Sequence, residues 1–222
     1  MFVVEGASLI AQAAAAGWEI EAQFVAPGTD AVVLTAGSSS GDVFELAPNV
    51  IERVASTEAP QPVLAVVRQR ATKMPPNPTF VLVGDRLADP GNAGTIVRSA
   101  EAAGADAVVF TAGSVDQYNS KVVRASAGSL FRMPVLSLEL VELRAAGLVV
   151  LATSSHRGAA YTETDMRRPV AVVVGNEAQG IDDDALVDDW ITIPHAGEAE
   201  SLNVAMAATV IAFEVARQRR QG

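Results

Sequence analysis

The sequence predicts an α/β fold in which a parallel sheet carries helices on both faces, preceded by a smaller α/β domain. Between residues 79 and 194, nearly continuous apolar runs alternate with segments of helical spacing, a pattern typical of strands buried on both faces of a parallel sheet. The segment KMPPNPTF, at 73–80, holds three prolines, and proline continues neither a helix nor a central strand. We therefore expect two domains, 1–72 and 79–222, joined by a linker at 73–78.

The same patterns predict the order of elements. In the first domain, SLIAQAAAAG is predicted to be helical, and EAQFVAP, AVVLTAG and PVLAVVRQ are predicted to be short strands. The predicted helices of the second domain are AGTIVRSAEAAGA, NSKVVRASAGSL, LVELRAAG, DDDALVDD and a long tail that begins at Ala199. Its predicted strands cover residues 79–86, 107–113, 133–138, 148–155, 169–181 and 190–194.

The composition limits the chemistry that the chain can perform. There is no cysteine and there are two histidines, His156 and His195, which excludes disulfides, thiolate zinc sites and cysteine nucleophiles. A histidine-rich metal centre is also disfavoured, so we expect no metal. No apolar run reaches the roughly 18 residues of a membrane span, and the first residues carry an acid, Glu5, without a basic signal-peptide region. We expect a cytoplasmic protein without a membrane partner.

The charge is unevenly distributed along the chain. The net charge of −10 argues against a protein that binds nucleic acid with its whole surface. Residues 1–60 hold eight acids and one base, whereas residues 117–132 carry Lys121, Arg124 and Arg132 and no acid. These three cations could hold an anionic partner, or they could form ordinary surface or inter-subunit pairs.

The candidate site residues follow the predicted strands of the second domain. In open α/β sheets, ligands collect beyond the carboxyl ends of the strands, and the segments found there are GDRLADPGNAGTIVR, ATSSHRG, VGNEAQGI and IPHAGEAESLN. No G-x-G-x-x-G loop follows the first strand, and the chain has neither a G-x-x-x-x-G-K-[ST] loop nor a G-x-S-x-G elbow. Nicotinamide enzymes, NTPases and serine hydrolases are therefore disfavoured.

Three segments resemble the signature motifs of one enzyme family. DPGNAGTIVRSAEAAGAD, VVVGNEAQGI and IPHAGEAESLNVAMAATVIAFEVARQR together resemble, in order and spacing, the motifs of the SpoU/TrmH branch of the SPOUT methyltransferases. The intervening KVVRASAGSLFRMPV is similar as well, and the resemblance covers about residues 79–220. The segments from FVVEGASLIAQAAAAG to PVLAVV are more loosely similar to the L30e-like substrate-binding domain often fused to this family.

The resemblance implies an S-adenosylmethionine-dependent methyltransferase that modifies a ribose 2′-hydroxyl of structured RNA. It also implies a C-terminal trefoil knot and a homodimer formed by the C-terminal domain, with active sites near the subunit boundary. The two-domain plan resembles ribosomal RNA enzymes more than single-domain transfer RNA enzymes, so ribosomal RNA is favoured. A transfer RNA substrate, another acceptor such as a base nitrogen, and a non-catalytic RNA-binding or assembly role are the alternatives.

Matching the motifs residue by residue implies the site. The catalytic candidates are Asn92 and Arg98 in the first motif, Glu177 in the second, and Ser201 and Asn203 in the third. The candidate RNA contacts are Arg98, Lys121, Arg124 and Arg132. The implied cofactor-binding residues are Thr153, Gly175, Asn176, Glu177, Ile193, Pro194, Ser201 and Leu202.

Each catalytic candidate also has a structural explanation. Glu177 could order its own loop, and Asn92 follows a Pro-Gly turn in which Asn is common. Ser201 and Asn203 could cap the last helix.

The chemical role of Arg98 has two alternatives. Arg98 as a base would have to be neutral, which costs roughly 8 kcal/mol at pH 7 from a reference pKa of about 13. We therefore favour Arg98 as a cation that stabilises the developing alkoxide or holds the adjacent phosphate, with the base role as the alternative.

Overall fold

The computed structural model describes residues 1–32, 41–47, 49–54, 60–175 and 186–221. The first part of the chain forms β1 (Phe2–Glu5), α1 (Ala7–Ala15), β2 (Ile20–Val25), β3 (Asp42–Glu45), α2 (Val50–Val54) and β4 (Val63–Val67). The second part forms β5 (Phe80–Asp85), α3 (Pro90–Ala103), β6 (Ala107–Phe110), α4 (Ser120–Ala125), α5 (Ser129–Arg132), β7 (Val135–Ser137), α6 (Leu140–Ala145), β8 (Val149–Thr153), β9 (Ala159–Ala160), β10 (Val170–Gly175), β11 (Asp189–Thr192) and α7 (Val204–Gln221).

The first sheet is small and mixed. Its strand order is β1-β4-β2-β3, in which β4 runs antiparallel to both neighbours and β2 runs parallel to β3. The helix predicted at SLIAQAAAAG and the strands predicted at EAQFVAP and PVLAVVRQ are confirmed as α1, β2 and β4. Strands β1 and β3 were not predicted from the sequence. The strand predicted at 31–37 lies mostly outside the described residues.

The second sheet is parallel throughout, as predicted. Its strand order is β7-β6-β5-β10-β8-β11-β9, and every neighbouring pair runs parallel. Strand β10 lies between β5 and β8, so the strand that follows β8 and β9 in sequence occupies the middle of the sheet. The strand predicted at 169–181 is confirmed as far as Gly175. Of the helix predicted at 182–189, the first half lies outside the described residues, and the second half forms no α-helix, with β11 beginning at Asp189.

Apolar side chains cover both faces of this sheet. On one face, Leu82, Val108 and Val172 pack in a cluster with residues of α3, α4 and α7. On the other face, Val83 and Val173 pack in a second cluster with residues of α6. The alternation of successive side chains along a strand explains this division, since neighbours point to opposite faces.

The ends of the helices follow local sequence signals, with two corrections to the prediction. Helix α3 starts where Asp89 accepts the backbone N–H of Asn92 at 2.7 Å, and it stops at Gly104 with φ of 78°. The single helix predicted at NSKVVRASAGSL was wrong, because left-handed backbone at Ala127 and Gly128 divides it into α4 and α5. The final helix begins at Val204 rather than at Ala199. Among the described helices, none is long and apolar enough to cross a membrane.

The two sheets share one core. Trp18, which follows α1, is buried and donates its indole N–H to the backbone oxygen of Phe131 on α5 at 2.9 Å. The Phe131 ring meets the Trp18 ring edge to face, with centroids 5.7 Å apart, and Phe2 packs against Tyr118 at 4.7 Å. Residues from both parts of the chain therefore belong to a single buried cluster, which holds the two units together.

Candidate functional site

A cleft of about 390 Å³ opens at the carboxyl edge of the second sheet. Its walls come from the ends of β8, β10 and β11, from the segment that follows β8, and from the residues that lead into α7. Sites that bind small molecules usually have volumes of about 300 to 1,000 Å³, so the cleft is large enough for a ligand of nucleoside size.

The strand order explains why these segments meet. Gly175, at the end of β10, is paired in register with Asp85 of β5. On the other side of β8, Ile191 of β11 is paired with Thr153. Since these strands are all parallel, their carboxyl ends lie at the same edge of the sheet. Segments that are distant in sequence therefore form one wall.

The cleft brings together most of the predicted cofactor-binding residues. Pro194 lies between two lining residues, Ile193 and His195. Asn176 and Glu177 lie outside the described residues, so their roles stay predictions. The predicted residues that line the cleft are Thr153, Gly175, Ile193, Ser201 and Leu202.

The lining combines apolar and polar surface. Val174 and Ile211 contribute buried aliphatic groups, whereas Ser154 and Ser155 contribute hydroxyls. The strand ends are held together by the backbone, since the N–H of Ser154 donates to the oxygen of Ile191 at 3.0 Å. The cleft therefore offers apolar surface together with hydroxyls, imidazoles and an acid, Glu200, and such mixed linings fix the orientation of small ligands.

Asn203 joins the two helices that flank this edge. Its side-chain oxygen accepts the backbone N–H groups of Ala205 and Met206, at 3.0 and 3.3 Å, and so caps α7. Its side-chain nitrogen donates to the side-chain oxygen of Asn92 at 3.0 Å, near the start of α3. Ser201 precedes the helix and lines the cleft. Two of the predicted catalytic residues, Asn92 and Asn203, are therefore in direct contact.

Arg98 lies apart from the cleft within one chain. Its side chain is exposed on α3 and does not belong to the cleft lining. The next residue, Ser99, faces the other way and shares a hydrogen bond of 2.7 Å with Thr209 of α7. The structure therefore does not bring Arg98 together with Thr153, Gly175 and Ser201 in a single copy of the protein.

The three predicted RNA-binding cations of residues 117–132 differ in their surroundings. Lys121 is exposed. Arg124 forms an ion pair of 3.7 Å with Glu5, which is buried at the end of β1. Arg132 donates to both carboxylate oxygens of Glu101 on α3, at 2.5 and 3.0 Å, and to the side chain of Gln12 on α1 at 2.9 Å.

These hydrogen bonds explain one shifted pKa near α3. The guanidinium of Arg132 lowers the pKa of the Glu101 carboxyl below its ordinary value, against the opposing effect of partial burial. Arg124 and Arg132 therefore already hold acids of the same chain, and both contact the first part of the chain, through Glu5 and Gln12 respectively.

Comparison with known proteins identifies the family. The model of the SpoU rRNA Methylase family matches residues 79–213, which is more than half of the chain. The chain belongs to the SpoU rRNA methylase family. The resemblance of its motifs to the SpoU/TrmH methyltransferases is thereby confirmed. The model of the MRM3-like substrate binding domain matches residues 1–65.

The SpoU family members most informative here include one enzyme sequence and two solved structures. The 23S rRNA (guanosine(2553)-2′-O)-methyltransferase RlmP of Bacillus subtilis is 38% identical over 178 residues, which cover 78% of this chain and 71% of the relative. The SpoU methyltransferase AviRb from Streptomyces viridochromogenes, in complex with AdoMet, is 31% identical with a TM-score of 0.86, covering 100% of this chain and 91% of that one. The A. aeolicus TrmH/SpoU tRNA modifying enzyme is 27% identical with a TM-score of 0.57, covering 64% of this chain and 76% of that one.

Some residues of the cleft in this SpoU family member were not predicted. The Arg157 guanidinium lies 3.5 Å from the centroid of the Trp190 ring, and both residues line the cleft. His195 also lines the cleft and contacts the oxygen of Ala199 through Nδ1 at 3.1 Å. No sequence signal connects Arg157 with Trp190, because Arg157 lies in the segment between β8 and β9 whereas Trp190 lies on β11, and the two meet only in the folded chain. Within the described parts of the chain, no cluster of acids and histidines is placed to hold a metal ion.

Proposed function

We propose that this protein is an S-adenosylmethionine-dependent methyltransferase that modifies a ribose 2′-hydroxyl of ribosomal RNA. The observation that carries the proposal is the convergence of Thr153, Gly175, Ile193, Ser201 and Leu202 on one cleft at the carboxyl edge of the sheet. The AdoMet-bound relative, which aligns over 100% of the chain, supports the cofactor. The RlmP relative supports ribosomal RNA and the 2′-hydroxyl as the acceptor.

The chemistry of the cleft fits the cofactor. Val174, Ile193, Leu202 and Ile211 offer the apolar surface that an adenine ring requires. Backbone groups at the ends of β8, β10 and β11 can hydrogen-bond to the edge of that ring. When bound, S-adenosylmethionine supplies an activated methyl group on a sulfonium centre. The protein then has to orient the ribose hydroxyl in line with that methyl group and to stabilise the oxygen as its proton leaves.

Arg98 is the residue we assign to the acceptor side. An exposed guanidinium on α3 can hold the phosphate next to the target ribose or stabilise the developing alkoxide. The alternative is that a neutral Arg98 removes the proton, at the free-energy cost given above. Asn92 and Asn203, joined by their hydrogen bond, are placed to fix the start of α3 and thereby the position of Arg98. Ser201 and Glu177 complete the proposed catalytic set.

A homodimer through the C-terminal domain would complete the site. Arg98 lies outside the cleft of its own chain, so a second copy must supply one of the two parts. The exposed apolar residues Met206, Val210 and Phe213 lie on α7 at helical spacing and are 58%, 37% and 44% exposed. This stripe begins beside Asn203, at the cleft, and supports an interface between two copies there.

The remaining structural expectations belong to the same proposal. We infer that the chain has an L30e-like RNA-binding domain at 1–72, a linker at 73–78 and a SPOUT domain at 79–222. Two separate sheets and the two family matches support this division. The insertion of β10 between β5 and β8, followed by the packing of α7 on α3 and β10, supports the trefoil knot.

The comparisons favour ribosomal over transfer RNA, because the 23S rRNA methyltransferase RlmP aligns with 78% of this chain. The tRNA modifying enzyme aligns with 64% of this chain, whereas AviRb aligns with all of it. The alignment with AviRb therefore includes the residues of the first sheet. An RNA substrate in the cytoplasm agrees with the expected location of the protein.

The decisive experiment uses the purified protein with radiolabelled S-adenosylmethionine and total RNA. The RNA should come from a strain that lacks the gene, so that the target ribose is unmodified. We expect label in ribosomal RNA, at a nucleotide that becomes resistant to alkaline cleavage on its 3′ side. Cofactor binding without incorporation into any RNA would overturn the enzyme and favour the binding or assembly role. Label in transfer RNA alone would overturn the ribosomal substrate.

A further inference from the structure

A second hollow lies at the opposite edge of the sheet from β9. It runs between the segment after β4 and the edge strand β7, with a volume of about 380 Å³, and a recess of about 70 Å³ opens from it beside Trp18. The two share Arg70, Thr72, Gln117 and Tyr118 as lining residues. They form one continuous hollow, which we call the β7 groove.

The β7 groove holds cationic side chains in an acidic protein. The chain as a whole carries −10, yet the groove is lined by Arg70 and by Arg132, which is paired with Glu101, and none of its described lining residues is acidic. Lys73, next to the lining residue Thr72, is exposed. The nearby acid Asp116 is held by the backbone N–H of Tyr118 at 2.9 Å. The groove therefore offers a local site for an anionic ligand.

Arg70 is held in place before any ligand binds. Its guanidinium lies over the Trp18 ring, 4.2 Å from the centroid, and donates one hydrogen bond to the oxygen of Phe131 at 3.3 Å. A guanidinium has five N–H donors, so most of them are available to a ligand in the groove. A pre-oriented arginine loses less conformational entropy when it binds a phosphate or stacks on a base.

The other lining groups match the edges of nucleobases. Gln69, Thr72 and Gln117 supply amides and a hydroxyl, which can donate and accept hydrogen bonds. Tyr118 is fixed by packing on Phe2 and by a bond of 3.5 Å from its hydroxyl to the backbone oxygen of Arg70. Amides, an aromatic ring and a flat guanidinium are the groups that bind unpaired nucleotides in proteins.

We propose that the β7 groove binds a single-stranded segment of the RNA substrate at a distance from the methylated ribose. The proposal rests on the proposed function, because it assigns a second contact to the same substrate. Four strand spacings separate β7 from β8, which is about 19 Å at about 4.8 Å per spacing. That is the length of roughly six stacked nucleotides. An RNA in both places has to present an unpaired segment at that distance from the target.

An extended peptide added to β7 is the competing use of the groove. The structure disfavours it because β7 has three residues, Val135–Ser137, and a short edge strand offers few backbone partners. The arginines and amides of the lining would contribute little to such strand pairing. The test has to separate these two occupants.

The probe for the test is a fluorescein-labelled decauridine, which contains no duplex. Gln69→Glu combined with Thr72→Glu adds two negative charges to the groove. The matched control, Thr162→Glu combined with Gln221→Glu, adds two at exposed positions outside the groove, one just after the edge strand β9 and one at the end of α7. We expect the groove variant to bind decauridine at least tenfold more weakly than wild type and the control to stay within twofold. Equal affinities of the two variants would overturn the proposal and leave strand addition at β7.

A second variant keeps the outcome clear if the added charges disturb folding. Arg70→Gln removes one cation, so the slope of log Kd against log salt should fall by about 0.7 for single-stranded RNA. An unchanged slope would contradict the proposal. S-adenosylmethionine binding should be unaffected in all variants, since the groove lies away from the cleft. Failure of wild-type protein to methylate any RNA would overturn the proposed function alone, because decauridine binding is measured independently of methyl transfer.

Discussion

The side-chain amide of Asn203 donates to the side-chain oxygen of Asn92 at 3.0 Å, which ties the start of α7 to the start of α3. The orientation of Asn203 is fixed by its own helix, because its oxygen accepts the N–H groups of Ala205 and Met206. The nitrogen must then face Asn92. One residue thus caps a helix, holds the neighbouring helix and directly follows two residues, Ser201 and Leu202, that line the cleft.

Separate substitutions should distinguish the helix cap from the link between the two helices. Asn203→Ala removes the cap and the link, and should lower the free energy of unfolding by about 1 to 2 kcal/mol, with loss of turnover. Asn92→Ala removes only the link and should cost about 0.5 to 1 kcal/mol. Urea denaturation of both variants and of the double variant gives the coupling energy. A coupling of zero would show that the hydrogen bond does not stabilise the protein in solution.

Arg98→Lys distinguishes the possible roles of the exposed arginine. A lysine keeps the charge but not the planar pair of donors, so we expect turnover to fall at least tenfold if the guanidinium fork holds phosphate or alkoxide. Because Arg98 lies outside the cleft of its own chain, cofactor affinity should remain within about twofold and stability within about 0.5 kcal/mol. Single-turnover methylation and cofactor titration check this. Turnover near wild type would remove any need for the fork.

The sequence predicted most of the second sheet but not its strand order. The apolar runs that became β5, β6, β8 and β10 were visible because strands buried on both faces carry few polar residues. Nothing in those runs indicates that β10 enters between β5 and β8, because order along the chain does not determine order in a sheet. The contact of Arg157 with Trp190 was missed for the same reason.

Helix boundaries were predicted less well where side chains compete with the backbone. The apolar spacing after Ala199 suggested a helix. The chain nevertheless stays irregular as far as Asn203, whose side-chain oxygen accepts the backbone N–H group of Ala205 in place of a helical carbonyl oxygen. The break between α4 and α5 follows from left-handed backbone at Ala127 and Gly128. In the cleft, the family motifs predicted Thr153, Gly175, Ser201 and Leu202 correctly as neighbours, whereas a single copy leaves Arg98 apart from them.

The Glu101–Arg132 pair should make stability depend on pH in the acid range. The folded state lowers the pKa of Glu101, so its contribution is present above the ordinary value and is lost as the pH falls through the lowered pKa. Glu101→Gln should therefore destabilise the protein at pH 7 by less than about 1 kcal/mol, as expected for a half-exposed pair. The difference from wild type should shrink as the pH falls below the ordinary pKa of a glutamate, about 4.3. Urea denaturation between pH 3 and 7 tests this, and a difference that grows on acidification would contradict it.

Trp18 should couple the unfolding of the two domains. Its ring is 4% exposed in a cluster that contains residues from both sheets, and its indole N–H is bonded to Phe131. Wild type should therefore unfold in one calorimetric transition. Trp18→Ala should cost about 3 to 5 kcal/mol and either lower or split that transition, while Trp190 remains as a fluorescent reporter of the cleft. Two transitions in the wild-type protein would show that the domains unfold independently.

Arg219 fastens the end of α7 to the start of the second sheet. It donates to the backbone oxygen of Thr79 at 2.6 Å and to those of Arg168 and Met166 at 3.1 and 3.2 Å. Gln218 adds a hydrogen bond with the N–H of Met166 at 2.9 Å. The last turn of the helix therefore contacts both the residue before β5 and the segment that precedes β10.

Replacing Arg219 by methionine keeps the aliphatic length and removes these donors. Hydrogen bonds from charged groups contribute about 1.5 to 3 kcal/mol each when their partners are left without water. Because several of these are partly exposed, we expect a loss of about 2 kcal/mol in total, with faster unfolding, as the end of α7 comes free first. The matched control is Arg220→Met, since the Arg220 side chain donates to Ala216 of its own helix at 3.2 Å. Denaturant unfolding kinetics of the two variants decide the matter, and equal unfolding rates would mean that the end of α7 is released after the rate-limiting step.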